Sequence, residues 1–399
     1  MGEGFKEIGA WLGAREARGL YRQRRVVENP QGREMIVDGV KLLNFCGNDY
    51  LGLANDPRVA SAFKQGVDQW GTGSGASHLI CGHSRAHHEL EEALADFVQR
   101  PRALLFSSGY AANVGTINAL VSSPDCVYED RLNHASLLDG GWISRAQFHW
   151  FEHADMADLD RQVESNHNDA KHLIVTDGTF SMDGDACPLR DMIGVAKRHD
   201  AWVMVDDAHG LGVVGDNGCG LVDPNHFGTD DVQVLVGTLG KAFGTSGAFV
   251  AGEEDLIEYL IQRARNYIFS TAMPSAIAAA TLASVAIVTT ESWRREHLEQ
   301  RIQQFRSGAL ELGFDLAPSM SPIQPLLLGT PQAALEMSRS LEADGCFISA
   351  IRPPTVPEGT SRLRITLTAA HTEQDVDRLL HALERTNRQQ RVVSTVSHQ

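Results

Sequence analysis

Between about residue 40 and residue 290, short apolar runs alternate with longer stretches of helical periodicity. No other feature limits the fold of this chain so strongly. The runs at 103–106, 172–176, 202–205, 232–237 and 247–251 are rich in β-branched or aromatic residues. They are apolar at successive positions, as strands covered on both faces are. Helical patterns at 86–98 and Leu189–Arg198 fill gaps between them. Such alternation predicts an α/β fold around a mostly parallel sheet, whose ligands sit outside the carboxyl ends of the strands. After about 290 a charged helix at 292–312 precedes strands near 323–328, 346–351 and 362–367 and a helix at 373–386, which predicts a smaller α+β domain. The expected division is an N-terminal helical segment at 1–47, a large domain at 48–289, a small domain at 290–390 and a frayed tail at 391–399. Residues 1 to about 28 read as one amphipathic helix with Phe5, Ile8, Trp11 and Leu12 on its apolar face. Arg15, Arg18, Arg22, Arg24 and Arg25 follow, as a solvated face or as an attraction for an anionic substrate.

Composition narrows the classes of function. A formal net charge of −16 argues against a nucleic-acid partner, whose footprint would be basic. The first six residues show no secretory signal pattern, and the longest apolar stretch, 276–288, is too short to span a bilayer and fits a buried Ala-rich helix. Six scattered cysteines without a CxxC pair read as reduced thiols in the core or near a site. The expectation is a cytoplasmic protein with no membrane partner.

Chemistry-bearing residues gather just after the strands. Ser107-Ser108-Gly109-Tyr110 opens a helix, where backbone N–H groups can face a phosphate or a serine can simply cap. The strand at 202–205 ends in Asp206-Asp207-Ala208-His209, and an acid at so buried a rim needs a cationic partner. Lys241 lies in Gly237-Thr238-Leu239-Gly240-Lys241-Ala242-Phe243-Gly244, where a partly desolvated amine suits Schiff-base chemistry. A phosphate-clamping P-loop would need GxxxxGK followed by Ser or Thr, and that spacing is missing. A GxGxxG does occur at 210–215, the basis of a nicotinamide-oxidoreductase alternative, but Asp216-Asn217-Gly218-Cys219-Gly220 follows where a dinucleotide site would start its helix. His78, His83, His87 and His88 cluster without a regularly spaced further ligand, so no metal is expected and His87 is expected to cap or pack. His134, after what reads as an acidic turn at Glu129-Asp130, is either a core histidine or a ring stacked on a flat ligand. A phosphate loop, a strand-end acid and a strand-end lysine together match the needs of pyridoxal 5′-phosphate.

Specific motifs extend that match over almost the whole chain. They are Asn48-Asp49-Tyr50-Leu51-Gly52-Leu53, the stretch 71–75, Asn133-His134-Ala135-Ser136, Phe180-Ser181-Met182-Asp183-Gly184-Asp185, Asp206-Asp207-Ala208-His209, Gly240-Lys241-Ala242-Phe243-Gly244, the stretch 350–357, and Arg362-Leu363-Arg364. In these the chain resembles the α-oxoamine synthases, which are fold-type I pyridoxal-phosphate enzymes of the class-II aminotransferase-like group. The resemblance implies a mostly parallel seven-stranded sheet flanked by helices, with residues 48–289 binding the cofactor. It also implies that Lys241 bonds the cofactor covalently, Asp206 pairs with its ring nitrogen, and His134 stacks on the ring. His209 and Ser181 would hold its phenolic oxygen, and Ser108, Gly109, Tyr110 and Thr238 would line its phosphate. By the same resemblance the active sites lie at a homodimer interface, with Ser270 and Thr271 reaching the partner's phosphate. Asn48 and Arg364 would meet an amino-acid carboxylate, with Arg22, Arg352 and Thr355 as further substrate positions, the two arginines toward an acyl thioester. The segment 350–357 followed by Leu367-Thr368-Ala369-Ala370-His371 resembles the members that condense L-alanine with a pimeloyl thioester in biotin biosynthesis, carried on coenzyme A or acyl carrier protein. A sibling such as a glycine C-acetyltransferase is the alternative. Two departures are His78, where many relatives carry arginine or glycine, and Ala272, where serine is common after Ser-Thr.

Overall fold

The computed structural model describes residue 5 and residues 7–166 and 169–396. The chain forms two compact units, one of Asn48–Ser181 with Asp185–Glu296 and one of Met1–Gly47, Met182–Gly184 and His297–Gln399.

The larger unit is built on seven strands: β1 (Arg102–Phe106), β2 (Cys126–Asp130), β3 (Gln147–Phe151), β4 (His172–Asp177), β5 (Trp202–Asp206), β6 (Val234–Thr238) and β7 (Ala248–Gly252). Their order is β1-β7-β6-β5-β4-β2-β3, and every pairing is parallel except the two made by β7. β4 and β7 are buried at every position, as the unbroken apolar runs require once helices cover both faces. Leu104, Val127, Leu173, Val175, Met204, Val234, Val236 and Val250 belong to one core cluster with Ile117 and Leu120 of the helix Gly109–Leu120. Two strands escaped the sequence reading, β2 and β3. Glu129 and Asp130 are therefore not an acidic turn: both are buried at the end of β2, where the charges obscured an otherwise strand-like run. The Ala-rich stretch forms the helix Ser275–Thr290, largely buried and packed on the helix Pro57–Trp70. Among the described residues no single helix is long and apolar enough to cross a membrane.

In the smaller unit Val40–Asn44 pairs antiparallel with Glu34–Val37 and parallel with Cys346–Phe347. A second sheet places Ser361–Thr366 between Ile323–Gly329 and Ser349–Ile351, all antiparallel. The strand expected at 346–351 is thus divided between two sheets, with Ile348 buried at the crossing. The N-terminal helix spans only Glu7–Ala17, not residues 1 to 28, and buries none of its residues. Gly19, at φ 65°, ends it: Leu20 N–H bonds back to Arg15 O and Gly19 N–H to Glu16 O, a left-handed cap of the Schellman kind. The last helix runs Glu373–Val396, beyond the expected 386, and the final three residues of the expected tail lie outside the described residues.

Candidate active site

β1, β2, β4, β5 and β6 run in one direction, so their carboxyl ends share one rim of the larger unit. Asp206 closes β5 and Asp177 is its partner in register on β4. Asp206 Oδ2 accepts from Asn113 Nδ2 at 2.6 Å, and Oδ1 accepts from Ala208 N–H at 3.1 Å. Asn113 Nδ2 also donates to Ser136 Oγ at 2.8 Å, and Ser136 Oγ lies 2.7 Å from His134 Nδ1. His134 caps the helix Ala135–Ser144 by accepting from Ser136 N–H, so its Nδ1 is unprotonated and its remaining proton sits on Nε2. Desolvation lowers its pKa, with Asp206 pulling it up and Lys241 pushing it down, which places all three in one electrostatic neighbourhood. Burial lifts the Asp177 carboxyl well above the usual range, and Asp206 adds to that; its Oδ2 accepts from His134 N–H at 2.7 Å.

On the other side of β5 the Lys241 amine lies 2.9 Å from His209 Nε2. His209 Nδ1 lies 2.7 Å from the hydroxyl of the fully buried Tyr50, and that hydroxyl donates to Asn48 Oδ1 at 3.2 Å. At β1 Ser108 caps the helix Gly109–Leu120 by accepting from Ala111 N–H at 3.1 Å. The first N–H groups of a helix have no intrahelical partner and carry its positive end, so those of Gly109 and Tyr110 remain as anion donors. A side chain at Gly109 would meet nothing within 4 Å, so the approach to these groups is open.

The remaining motifs have structural duties. No helix starts within the GxGxxG at 210–215; Gly212 N–H bonds to Gly218 O and Gly220 N–H to Val214 O, closing a compact loop. That loop and Gly178 enclose Asp207, since a Cβ at Gly178, Gly210 or Gly220 would collide with its carboxyl. Burial pushes Asp207 up to about 7. In the histidine cluster the Nδ1 atoms of His78 and His83 are 3.0 Å apart, and the ligand-capable atoms of His78, His83 and His87 lie within 4.8 Å. His87 nevertheless caps its helix through Nδ1, on Ser84 N–H at 3.0 Å, and donates from Nε2 to Met273 O at 2.7 Å.

The family model described as aminotransferase class I and II matches residues 40–383. An 8-amino-7-oxononanoate synthase of Nitrosococcus oceani is 59% identical over 372 residues, covering 93% of this chain and 98% of that one. One of Saccharophagus degradans is 57% identical over 379 residues, covering 94% and 95%. The chain belongs to the 8-amino-7-oxononanoate synthase family. A solved serine palmitoyltransferase from S. paucimobilis with bound PLP superposes at TM-score 0.91 and 30% identity, covering 96% of this chain and 98% of that one. Family membership makes the chain a fold-type I, pyridoxal-phosphate-dependent acyltransferase of biotin biosynthesis. The rim suits that cofactor: it offers an amine, a buried acid, two imidazoles and an open helix N-terminus, the set that an aldehyde, a pyridine nitrogen, a flat ring and a phosphate require.

For an 8-amino-7-oxononanoate synthase, the other expected positions fall as follows. Thr238 ends β6, its hydroxyl donating to Gly247 O at 3.2 Å. The Tyr110 hydroxyl is taken up by Asp139. Ser181 follows the fully buried Phe180. Ser270 is half-buried and Thr271 is exposed and bridges Ser77. In the smaller unit Arg364 is buried in Ser361–Thr366. Arg22 donates to Thr355 Oγ1 at 3.0 Å, and Arg352 donates to Gly19 O. Burial lowers the Arg352 pKa, and the like charges of Arg22, Arg15 and Arg339 lower it further. Arg25 instead forms ion pairs with Glu342 and Asp38.

Sequence reasoning did not single out Asn113, Asp177 or Tyr50, which the structure brings to the rim. Asp177 ends an apolar strand just as Asp206 does, and Asn113 is a polar residue within an apolar helix one turn past the phosphate loop. Both signals were present. For Tyr50 the motif was visible, but a tyrosine among apolar neighbours gives no sign of its partner.

Proposed function

We propose that the chain condenses L-alanine with a pimeloyl thioester, on coenzyme A or acyl carrier protein, to give 8-amino-7-oxononanoate, carbon dioxide and the free thiol. It does so in the cytoplasm, as a homodimer. One observation carries the reading: the Lys241 amine is held 2.9 Å from His209 Nε2, on the same rim as Asp206. Pyridoxal phosphate, when bound, supplies an electron sink for the pair left behind as the Cα–H bond of the amino acid breaks.

Lys241 would hold the cofactor covalently, and its Nζ would serve as the base that takes the Cα proton of L-alanine. Asp206 would pair with the ring nitrogen, and Asn113 and Ala208 fix its carboxyl for that role. His134 presents its ring for stacking, with its base locked by Ser136. His209 and Ser181 take the phenolic oxygen. Ser108, Gly109, Tyr110 and Thr238 bind the phosphate, joined by Ser270 and Thr271 from the second subunit. Asn48 and Arg364 bind the alanine carboxylate, Arg364 as a bidentate fork. Arg22, Arg352 and Thr355 bind the thioester carrier. Support for this last role is the crowding of Arg15, Arg22, Arg339 and Arg352, a local positive field in a chain of net charge −16.

The decisive test is a product assay with L-alanine against glycine and serine, with pimeloyl-CoA and pimeloyl carrier protein run in parallel. Carbon dioxide release with glycine or serine but not alanine would overturn the substrate assignment in favour of a sibling synthase. A Lys241→Ala variant should fold yet carry no covalently bound, visibly absorbing cofactor.

A further inference from the structure

The start of the helix Arg85–Phe97 gathers three ligand-type side chains by the way it begins. Ser84 is the N-cap and donates its N–H to His87 Nδ1 at 3.0 Å, which fixes how the chain enters the helix. The residue before an N-cap and the fourth residue of the helix often pack on each other, and here those two are His83 and His88. Their rings meet edge to face with centroids 6.1 Å apart. Glu91 lies three positions beyond His88, on the same face of the helix. Its Oε1 accepts from Leu105 N–H at 3.0 Å, and its Oε2 lies 4.0 Å from His83 Nε2, too far for a hydrogen bond. One ligand atom from each of His83, His88 and Glu91 falls within 4.8 Å of the other two.

Two imidazoles and a carboxylate are the ligand chemistry of a borderline divalent ion. Bonds of about 2.0–2.1 Å at a tetrahedral angle set ligand atoms about 3.3 Å apart, so the three groups have to close by about 1 Å. His83 and His88 have the freedom for it, with side chains 30% and 61% exposed, while Glu91 is held by Leu105. Partners behind the ligands are in place as well. Leu105 N–H orients the carboxyl, and His78 Nδ1 lies 3.0 Å from His83 Nδ1, the nitrogen that ligation through Nε2 leaves for a hydrogen bond. His88 gives up only an exposed contact of 3.4 Å with Glu92. His87 stays outside the set, because its two nitrogens meet Ser84 and Met273. We propose that His83, His88 and Glu91 bind one zinc-type divalent ion with a coordination position open to solvent. The ion ties His83, which ends the turn His78–Gly82, to the helix that follows. The histidine cluster lacks a regularly spaced further ligand of its own, and Glu91 supplies it from the next turn of helix. This site is independent of the reaction proposed above.

The test is calorimetric titration of Zn²⁺ into tag-free enzyme, loaded with its cofactor and dialysed first against a chelator and then against plain buffer. Wild type should bind one ion per chain saturably, and its unfolding temperature should rise with Zn²⁺ concentration. His83→Gln, His88→Gln and Glu91→Gln should each weaken binding about 100-fold or more, and His78→Gly, which removes only a partner behind a ligand, about ten-fold. His88 is exposed, so His88→Gln carries the test if Glu91→Gln fails to fold. No saturable binding by wild type, or binding that His88→Gln leaves unchanged, would overturn the proposal. Binding lost in His78→Gly but kept in His88→Gln would also overturn it, by moving the ion to His78, His83 and His87.

Discussion

His153 lies between two carboxylates, with Nδ1 3.0 Å from Asp130 Oδ1 and Nε2 2.8 Å from Asp185 Oδ2. Its ring stands edge-on to Phe180 with centroids 4.4 Å apart. Burial alone would lower its pKa, but the bonds to Asp130 and Asp185 outweigh burial and push it up to about 10 from 6.5. At about 1.4 kcal/mol per pKa unit that rise corresponds to about 5 kcal/mol. Two charge-assisted hydrogen bonds at about 1.5–3 kcal/mol each give the same order before the cost of desolvation. The folded pKa lies above the unfolded one, so this stabilisation is complete below about pH 6.5, declines through the interval and is lost above about pH 10. His153→Gln keeps the shape and some hydrogen bonding but removes the titrating charge. Urea unfolding of wild type and variant at pH 6, 8 and 10 should show a stability difference of about 3–5 kcal/mol at the lowest pH that closes toward zero at the highest. A difference that stays constant across the three pH values would show that His153 is not charged in the folded protein, and the reasoning would fail.

Asp206→Asn should retain bound cofactor but lose about 10²–10³-fold in kcat, the scale of removing one preorganised electrostatic partner. Asp177→Asn, by contrast, removes a carboxyl whose charged form burial already disfavours and should leave cofactor affinity within about two-fold, as equilibrium titration would report. Arg22→Ala with Arg352→Ala should raise KM for the thioester about ten-fold or more, flatten its salt dependence and leave the L-alanine KM unchanged in steady-state assays. Gly66→Ala should destabilise the fold by about 1–2 kcal/mol in thermal or urea unfolding, because its Cβ would lie 2.8 Å from Ala276 Cα and overpacking exceeds the gain in helix propensity.

The strands β1, β4, β5, β6 and β7 were legible because burial on both faces writes an unbroken apolar run, which period and length alone can find. β2 was not, because its last residues are Glu129 and Asp130, and a rule that reads charge as turn has no way to know that His153 and Asn133 meet them. β3 carries Gln147 and His149 in a mixed pattern with only Phe151 buried, an edge strand by the sheet order. Lys241, Asp206 and His209 drew attention by type and by their place at or just after strand ends, and the structure sets them on one rim. Their side-chain partners were hidden, since Asn113 reaches Asp206 across 93 positions and Tyr50 reaches His209 across 159.

The acids at this rim raise a problem that composition alone makes worse. Glu129, Asp130, Asp177, Asp206 and Asp207 lie at or beside strand ends, in a chain already at −16, yet the proposed substrates and cofactor are anions. The fold resolves it residue by residue. Burial pushes Glu129 up to about 8 and Asp207 up to about 7, and lifts Asp177 well above the ordinary range, so burial makes negative charge costly at all three. Asp130 is matched by His153, itself pushed up to about 10. Asp206 accepts from the Asn113 amide and the Ala208 N–H, two donors that complement a carboxylate. In the proposed function a second full charge in register on β4 would repel an anionic cofactor and compete for its ring proton, and the burial of Asp177 works against one. In the proposed function Asp206 is the acid that meets the pyridine nitrogen, and the helix N-terminus at Ser108 is left for the phosphate.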